Sequence, residues 1–142
     1  MMTSVDNRID RLIGRVKAHG AMRAFVFIPG YPAHKTPNPV TKYTVAVTDE
    51  EVRVSRRFIG KDKCFRIEEV KLCLRVYAPE NSSGASLLRA SAMLMDAVEA
   101  CDPDREIESV SLSGIGFDTA SRTEYRDVNV TLRFLAGGVS DA

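Results

Sequence analysis

Val70, Leu72, Leu74 and Val76 alternate without a break with Lys71, Cys73, Arg75 and Tyr77, and Pro79 follows. A period of two puts the four aliphatic side chains on one side of a strand, so the segment demands a sheet with one covered face. The same period returns in Val128, Val130, Leu132 and Phe134, which alternate with Asp127, Asn129, Thr131 and Arg133, and more briefly in Val110 and Leu112. Two other segments repeat at three and four residues and can supply the cover. From Ser4 to His19, Val5, Ile9, Leu12, Ile13 and Val16 share one side, with Asp6, Asn7, Asp10, Arg11 and Lys17 opposite and Gly20 as a stop. After Asn81, Ser82 and Ser83, which offer caps, Leu87, Leu88, Ser91, Leu94, Met95, Val98 and Cys101 trace the inner face of a second helix that Pro103 ends.

Between the first helix and the Val70 strand the signals are shorter. Phe25 to Ile28 is a run of strand formers cut off by Pro29 and Gly30. Four prolines, Pro29, Pro32, Pro37 and Pro39, then mark residues 29–40 as a loop, in which Tyr31, His34 and Lys35 are candidate contacts for a partner. Tyr43, Val45 and Val47 share a face; Thr48 to Glu51 reads as a tight connection, and Val52 and Val54 as the return strand of a hairpin. The expected order is α-β-β-β-β-α-β-β. Consecutive strands between two helices argue for an α+β fold, a largely antiparallel sheet with both helices on one face. Residues 1–142 read as a single domain, with residues 137–142 as a flexible tail.

With 20 Lys and Arg against 19 Asp and Glu, the net charge is only +1, so any nucleic-acid role needs a local patch. No run approaches the ~18 apolar residues of a membrane span, and Asp6 and Asp10 stand where a signal peptide is apolar, which predicts a protein neither secreted nor in a membrane. Cys64, Cys73 and Cys101 are widely spaced and read as free thiols.

No pattern of catalytic or metal-ligating residues emerges, and the expectation is a non-enzyme without a cofactor or metal. His19 and His34 have no spaced partner. Gly114-Ile115-Gly116 lacks the third glycine of a dinucleotide fingerprint and reads as a bulge or bend. Asp102, Asp104 and Glu106 around Pro103 lack the oxygen spacing of a calcium loop and read as helix termination. Cys73 falls on the polar side of its strand, with no base beside it.

One cluster does stand out. Arg53, Arg56, Arg57, Lys61, Lys63 and Arg66, with Phe58 and Phe65 among them and Asp62 as the only acid, form a basic segment. Basic residues interleaved with aromatics can grip a phosphate backbone, whereas charge on an edge strand also repels unwanted pairing. No base-reading motif accompanies them.

The stretch from Arg57 through Val98 contains Phe58-Ile59-Gly60, then Arg66-Ile67-Glu68-Glu69-Val70-Lys71-Leu72, then Asn81-Ser82-Ser83-Gly84 opening a Leu-rich helix. Two closing strands follow, Ile107 to Phe117 and Ser121 to Phe134, about Asp118-Thr119-Ala120. In this layout the chain resembles the small tail terminator, or tail-completion, proteins of long-tailed bacteriophages and prophages. The proline-rich loop is longer than in the simplest members. The resemblance implies a homo-oligomeric ring, commonly a hexamer, which caps the tail tube and meets the head connector, in the virion or the bacterial host cytoplasm. It brings no catalytic residues. The basic segment would then face a neighbouring subunit or a lumen through which DNA passes. The alternative is a small binding module for nucleic acid or an acidic protein; a third reading, a small enzyme, requires Cys73, His34 or the acids near Pro103 to converge.

Overall fold

In the computed structural model, which describes residues 4–29, 42–59, 63–79, 84–103, 105–119 and 123–140, the alternating segments join one sheet. Its strands are β1 (Val26–Pro29), β2 (Thr44–Ile59), β3 (Lys63–Tyr77), β4 (Ile107–Asp118) and β5 (Thr123–Ser140), in the spatial order β1-β2-β3-β5-β4. β1 runs parallel to β2, and the other neighbouring pairs are antiparallel. The helical patterns form α1 (Ser4–Ala18) and α2 (Gly84–Ala100). Leu12 and Val16 of α1, and Leu87, Ala90, Leu94, Ala97 and Val98 of α2, pack with Val70, Leu72, Leu74, Val76, Val128, Val130 and Leu132 in one buried cluster. The fold is thus α+β, with both helices on one side of a largely antiparallel sheet.

The two short runs read as hairpin arms are halves of a single strand. Asp49 pairs with Leu72 and Glu51 with Lys71, so Glu50 is an extra residue, a bulge rather than a turn. A bulge moves the inward side chains from odd to even positions, as a hairpin break would, so Val45 and Val52 face the same side. The expected frayed tail is also corrected in part: residues 137–140 belong to β5, where Gly138, Val139 and Ser140 pair with Phe65, Cys64 and Lys63. Residues 141 and 142 lie outside the described residues, as do the capping residues Asn81 to Ser83. In α2, Leu88 is exposed, and the inner face is completed by the small residues Ala90 and Ala97.

Local polar contacts shape the ends and bends. His19 caps a short 3-10 turn, Gly20–Met22, with Nδ1 accepting from the Ala21 N–H at 3.3 Å. The Asp102 carboxylate accepts from the N–H groups of Glu106 (2.8 Å) and Ile107 (3.0 Å), which turns the chain from α2 into β4, while Arg105 takes a left-handed φ of 54°. Asp102 therefore has a structural role, and Asp104 lies outside the described residues. The register of β4 on β5 shifts between Leu112 and Ile115, the bulge expected near Gly114. The Ser113 hydroxyl accepts from the Asp127 N–H at 3.0 Å, and Arg126 donates to the Ser113 carbonyl at 2.8 Å.

Candidate interaction surface

Strands of this length outrun the helices. The 15 residues of β3 span about 50 Å at about 3.3 Å each. The 15 and 17 residues of α1 and α2 span only about 22 to 26 Å at about 1.5 Å each. The β2–β3 ladder is therefore longer than either helix, and although the helix side of β3 is buried from Glu68 to Val76, its partner β2 is covered less toward the far end of the arm. Val52 and Val54, which the register places on the helix side with Val70 and Glu68, are each 45% exposed there. β1 pairs with β2 only from Thr44 to Val47, so among the described residues the β2 backbone is open along its outer side from Thr48 to Ile59.

The arm carries the basic segment, and the structure divides its described side chains, Arg53, Arg56 and Arg66, between two faces. Arg53 lies opposite Glu69 on the outer face, and Arg56 lies opposite Arg66 on the helix side. Arg53 Nη2 is 3.2 Å from Glu51 Oε1, and Arg66 Nε is 3.3 Å from Glu68 Oε1. Glu68 is only 2% exposed, and its Oε2 has no hydrogen-bond partner among the described residues. Glu51 also meets Lys71 at 3.4 Å, and these cations hold its carboxyl below the usual range, Lys71 most of all. In the ladder Arg57 stands opposite Phe65 and Lys63 opposite Ile59. Lys61, and the loop residues Tyr31, His34 and Lys35, lie outside the described residues.

The outer face of the sheet is closed at its centre, contrary to the simple polar-side expectation. Arg75 Nε and Nη2 donate to the two carboxylate oxygens of Asp127 at 2.7 and 3.1 Å, a two-pronged pair that the β3–β5 register sets directly opposite. The Arg75 guanidinium lies 3.9 Å over the Tyr125 ring, and the Tyr125 and Tyr77 rings are 5.9 Å apart. Tyr77, Ala46 and Cys73 are buried as a result. Sequence periodicity assigned these positions to solvent; the signal missed was cross-strand, Arg and Tyr facing Asp and Tyr, and it is legible only once the register is known.

The opposite margin of the sheet is β4. It exposes Ile115 and Phe117, the latter 60% exposed. At its start, Glu99, Asp102, Ile107, Glu108, Ser109 and Val110 line an open cleft of about 390 Å³. A second cleft of about 480 Å³ lies where β5 runs on past β4, lined by Arg8, Ile67, Arg105, Glu106, Arg133, Phe134 and Leu135. In it Arg8 pairs with Glu106 and stacks over Phe134 at 4.0 Å. Of the residues the enzyme reading requires, Cys73 lines neither cleft, Asp102 and Glu106 line different ones, and His34 and Asp104 lie outside the described residues. Among the described residues no group of three or more His, Cys, Asp or Glu is placed to share a metal ion, and no helix is long and apolar enough to cross a membrane. No protein-family model matches the chain, and no curated protein matches it.

Proposed function

We propose that this chain is a structural assembly subunit that repeats around an axis as a ring, a hexamer in the reading drawn from its resemblance to tail terminators. In that reading the ring ends a phage or prophage tail tube and joins it to the head connector, in the virion or in the cytoplasm of the bacterial host. The observation that carries the proposal is the β2–β3 arm, whose backbone edge is open among the described residues and on which Val52 and Val54 are each 45% exposed. A long unpaired edge bearing apolar side chains is a template for another strand, which soluble monomers normally cover or shorten.

A nucleic-acid module is the weaker reading. The described basic side chains fall on two faces of the arm, and Arg53 and Arg66 already face Glu51 and Glu68. Static light scattering after size exclusion, across a hundredfold range of protein concentration, tests the assembly reading. A discrete multiple of the 15.7 kDa chain mass is expected. A monomer throughout, with and without a tail-tube protein, would remove it. Duplex DNA added in rising salt separates the alternative, since phosphate binding weakens steeply with salt.

A further inference from the structure

A contact that repeats around an axis joins a head on one copy to a tail on the next, so each subunit needs two unlike surfaces. We propose that these are the two margins of the sheet left open among the described residues, Thr48 to Ile59 of β2 on one copy and β4 on its neighbour, paired antiparallel with opposite charge where the Ile59 end meets the Ile107 end. The inference rests on the ring reading and specifies how it closes.

The lengths agree. β2 has sixteen residues, of which β1 covers four, leaving twelve; β4 is the end strand of the sheet and also has twelve. The direction agrees as well. Three successive antiparallel pairings separate β2 from β4, so the two run in opposite senses within one subunit. Rotation about an axis along the strands preserves those senses. β4 of one copy therefore meets β2 of the next antiparallel, the pairing with the straighter hydrogen bonds. A stagger between copies is compatible with closure, because strands in a closed sheet tilt.

Charge follows from direction. Full-length antiparallel pairing brings the Ile59 end of β2 to the Ile107 end of β4, where the charges are opposite; at the other end Asp49, Glu50 and Glu51 approach Asp118, with Glu51 already held by Arg53 and Lys71. The Ile59 end is basic: Arg56 is exposed with no acid paired to it among the described residues, Arg53 keeps Glu51 at 3.2 Å and Arg66 keeps Glu68 at 3.3 Å, and no acid occurs from Arg53 to Ile59. The β4 end is acidic, with Glu108, Glu99 and Asp102 around one cleft and Arg133 reaching Glu108 only at 3.9 Å. Both margins also show apolar side chains on the helix side. Val52 and Val54 do so on β2, and Ile115 does so on β4 opposite Arg126, whose side chain reaches Ser91 of α2 at 3.4 Å. The strand pairing would bury these together, and the near-zero net charge limits repulsion between whole subunits.

Two charge-reversed chains test this, Arg53→Glu with Arg56→Glu, and Glu99→Lys with Glu108→Lys, each measured alone and in equimolar mixture by native mass spectrometry and light scattering. Each alone carries like charges at the two ends that would meet and is expected to associate at least tenfold more weakly than the unaltered chain. The mixture is expected to recover assemblies in which the two variants alternate. Unchanged association of either variant alone, or a mixture no better than its parts, overturns the edge pairing while leaving the ring reading intact. A monomeric unaltered chain overturns the ring reading itself. Should either double variant lose its thermal melt, Arg56→Gln and Glu108→Gln carry the same comparison, with weakened association expected from each and unaltered association overturning the pairing.

Discussion

Cys73 alternates with Leu72 and Leu74 and so falls on the sheet face away from the helices, yet its thiol is fully buried. Burial, then the nearby Asp127 carboxylate, pushes the thiol up to about 12, and burial likewise lifts the Tyr77 phenol to about 12. In the native protein, iodoacetamide at pH 8 is expected to modify the partly exposed Cys101 and spare Cys73, as peptide mass mapping can check; rapid labelling of Cys73 would contradict its burial. The same shifts set an alkaline limit. Both groups hold protons more tightly folded than unfolded, so their contribution is complete below the ordinary values of 9.0 and 10.0 and is lost as pH rises toward about 12. Each can steepen the loss by up to about 1.4 kcal/mol per pH unit. Urea midpoints measured from pH 8 to 11 are expected to fall, and to fall less in Cys73→Ala and Tyr77→Phe. Removing one side of the Arg75–Asp127 pair, as in Asp127→Asn, is expected to cost about 1 to 3 kcal/mol, because the guanidinium loses a charged partner at a part-buried site. A double-mutant cycle with Arg75→Leu isolates the coupling.

Among the elements, the register shifts once between β2 and β3 and twice between β4 and β5, and Gly116 follows the second of the β4 shifts. At Gly116 a Cβ would stand 2.5 Å from the Tyr125 ring, a ring held by Arg75 and Tyr77, so it cannot swing aside freely. Gly116→Ala is expected to cost about 1 to 3 kcal/mol by chemical denaturation, and to cost much less in a Tyr125→Ala background; equal cost in both would reject the contact. The helical layer depends on large side chains between small ones. Leu94 is fully buried, and Leu94→Ala is expected to cost about 2 to 5 kcal/mol through the cavity it leaves. Both helices and the inner faces of β3, β4 and β5 were legible as periodicities. The β2 bulge was not, because Thr48-Asp49-Glu50-Glu51 has turn-like composition and because a bulge and a hairpin shift the inward parity alike.

For the whole molecule, the mismatch between strands of 15 to 18 residues and helices of 15 and 17 matters most. A strand residue advances about twice as far as a helix residue, so helices of equal length leave the far part of the sheet bare. Val54→Lys on that bare part is expected to leave the melting temperature nearly unchanged, since surface substitutions stay within about 0.5 kcal/mol. Under the ring reading it should nonetheless weaken association several-fold in light scattering; undiminished association would place the contact elsewhere. The basic segment shows why composition alone misleads at this scale. Of six charges close in sequence, Arg53 falls on one face of a ladder and Arg56 and Arg66 on the other, and Arg53 and Arg66 already face acids.

By itself, the sequence determined the class of fold: the period of each segment dictates which faces must be hidden from water, and two amphipathic helices with one-sided strands have few ways to hide them. It also located the core stripe of β3 and β5, residue by residue. Only the tertiary structure decided what lies across from what. Register brought Arg75 to Asp127, closed the outer face over Cys73, fused the two short β2 runs, and put the arginines of β2 and Glu108 of β4 at opposite sides of the sheet. Those outcomes depend on pairings between residues dozens of positions apart, which local periodicity does not encode.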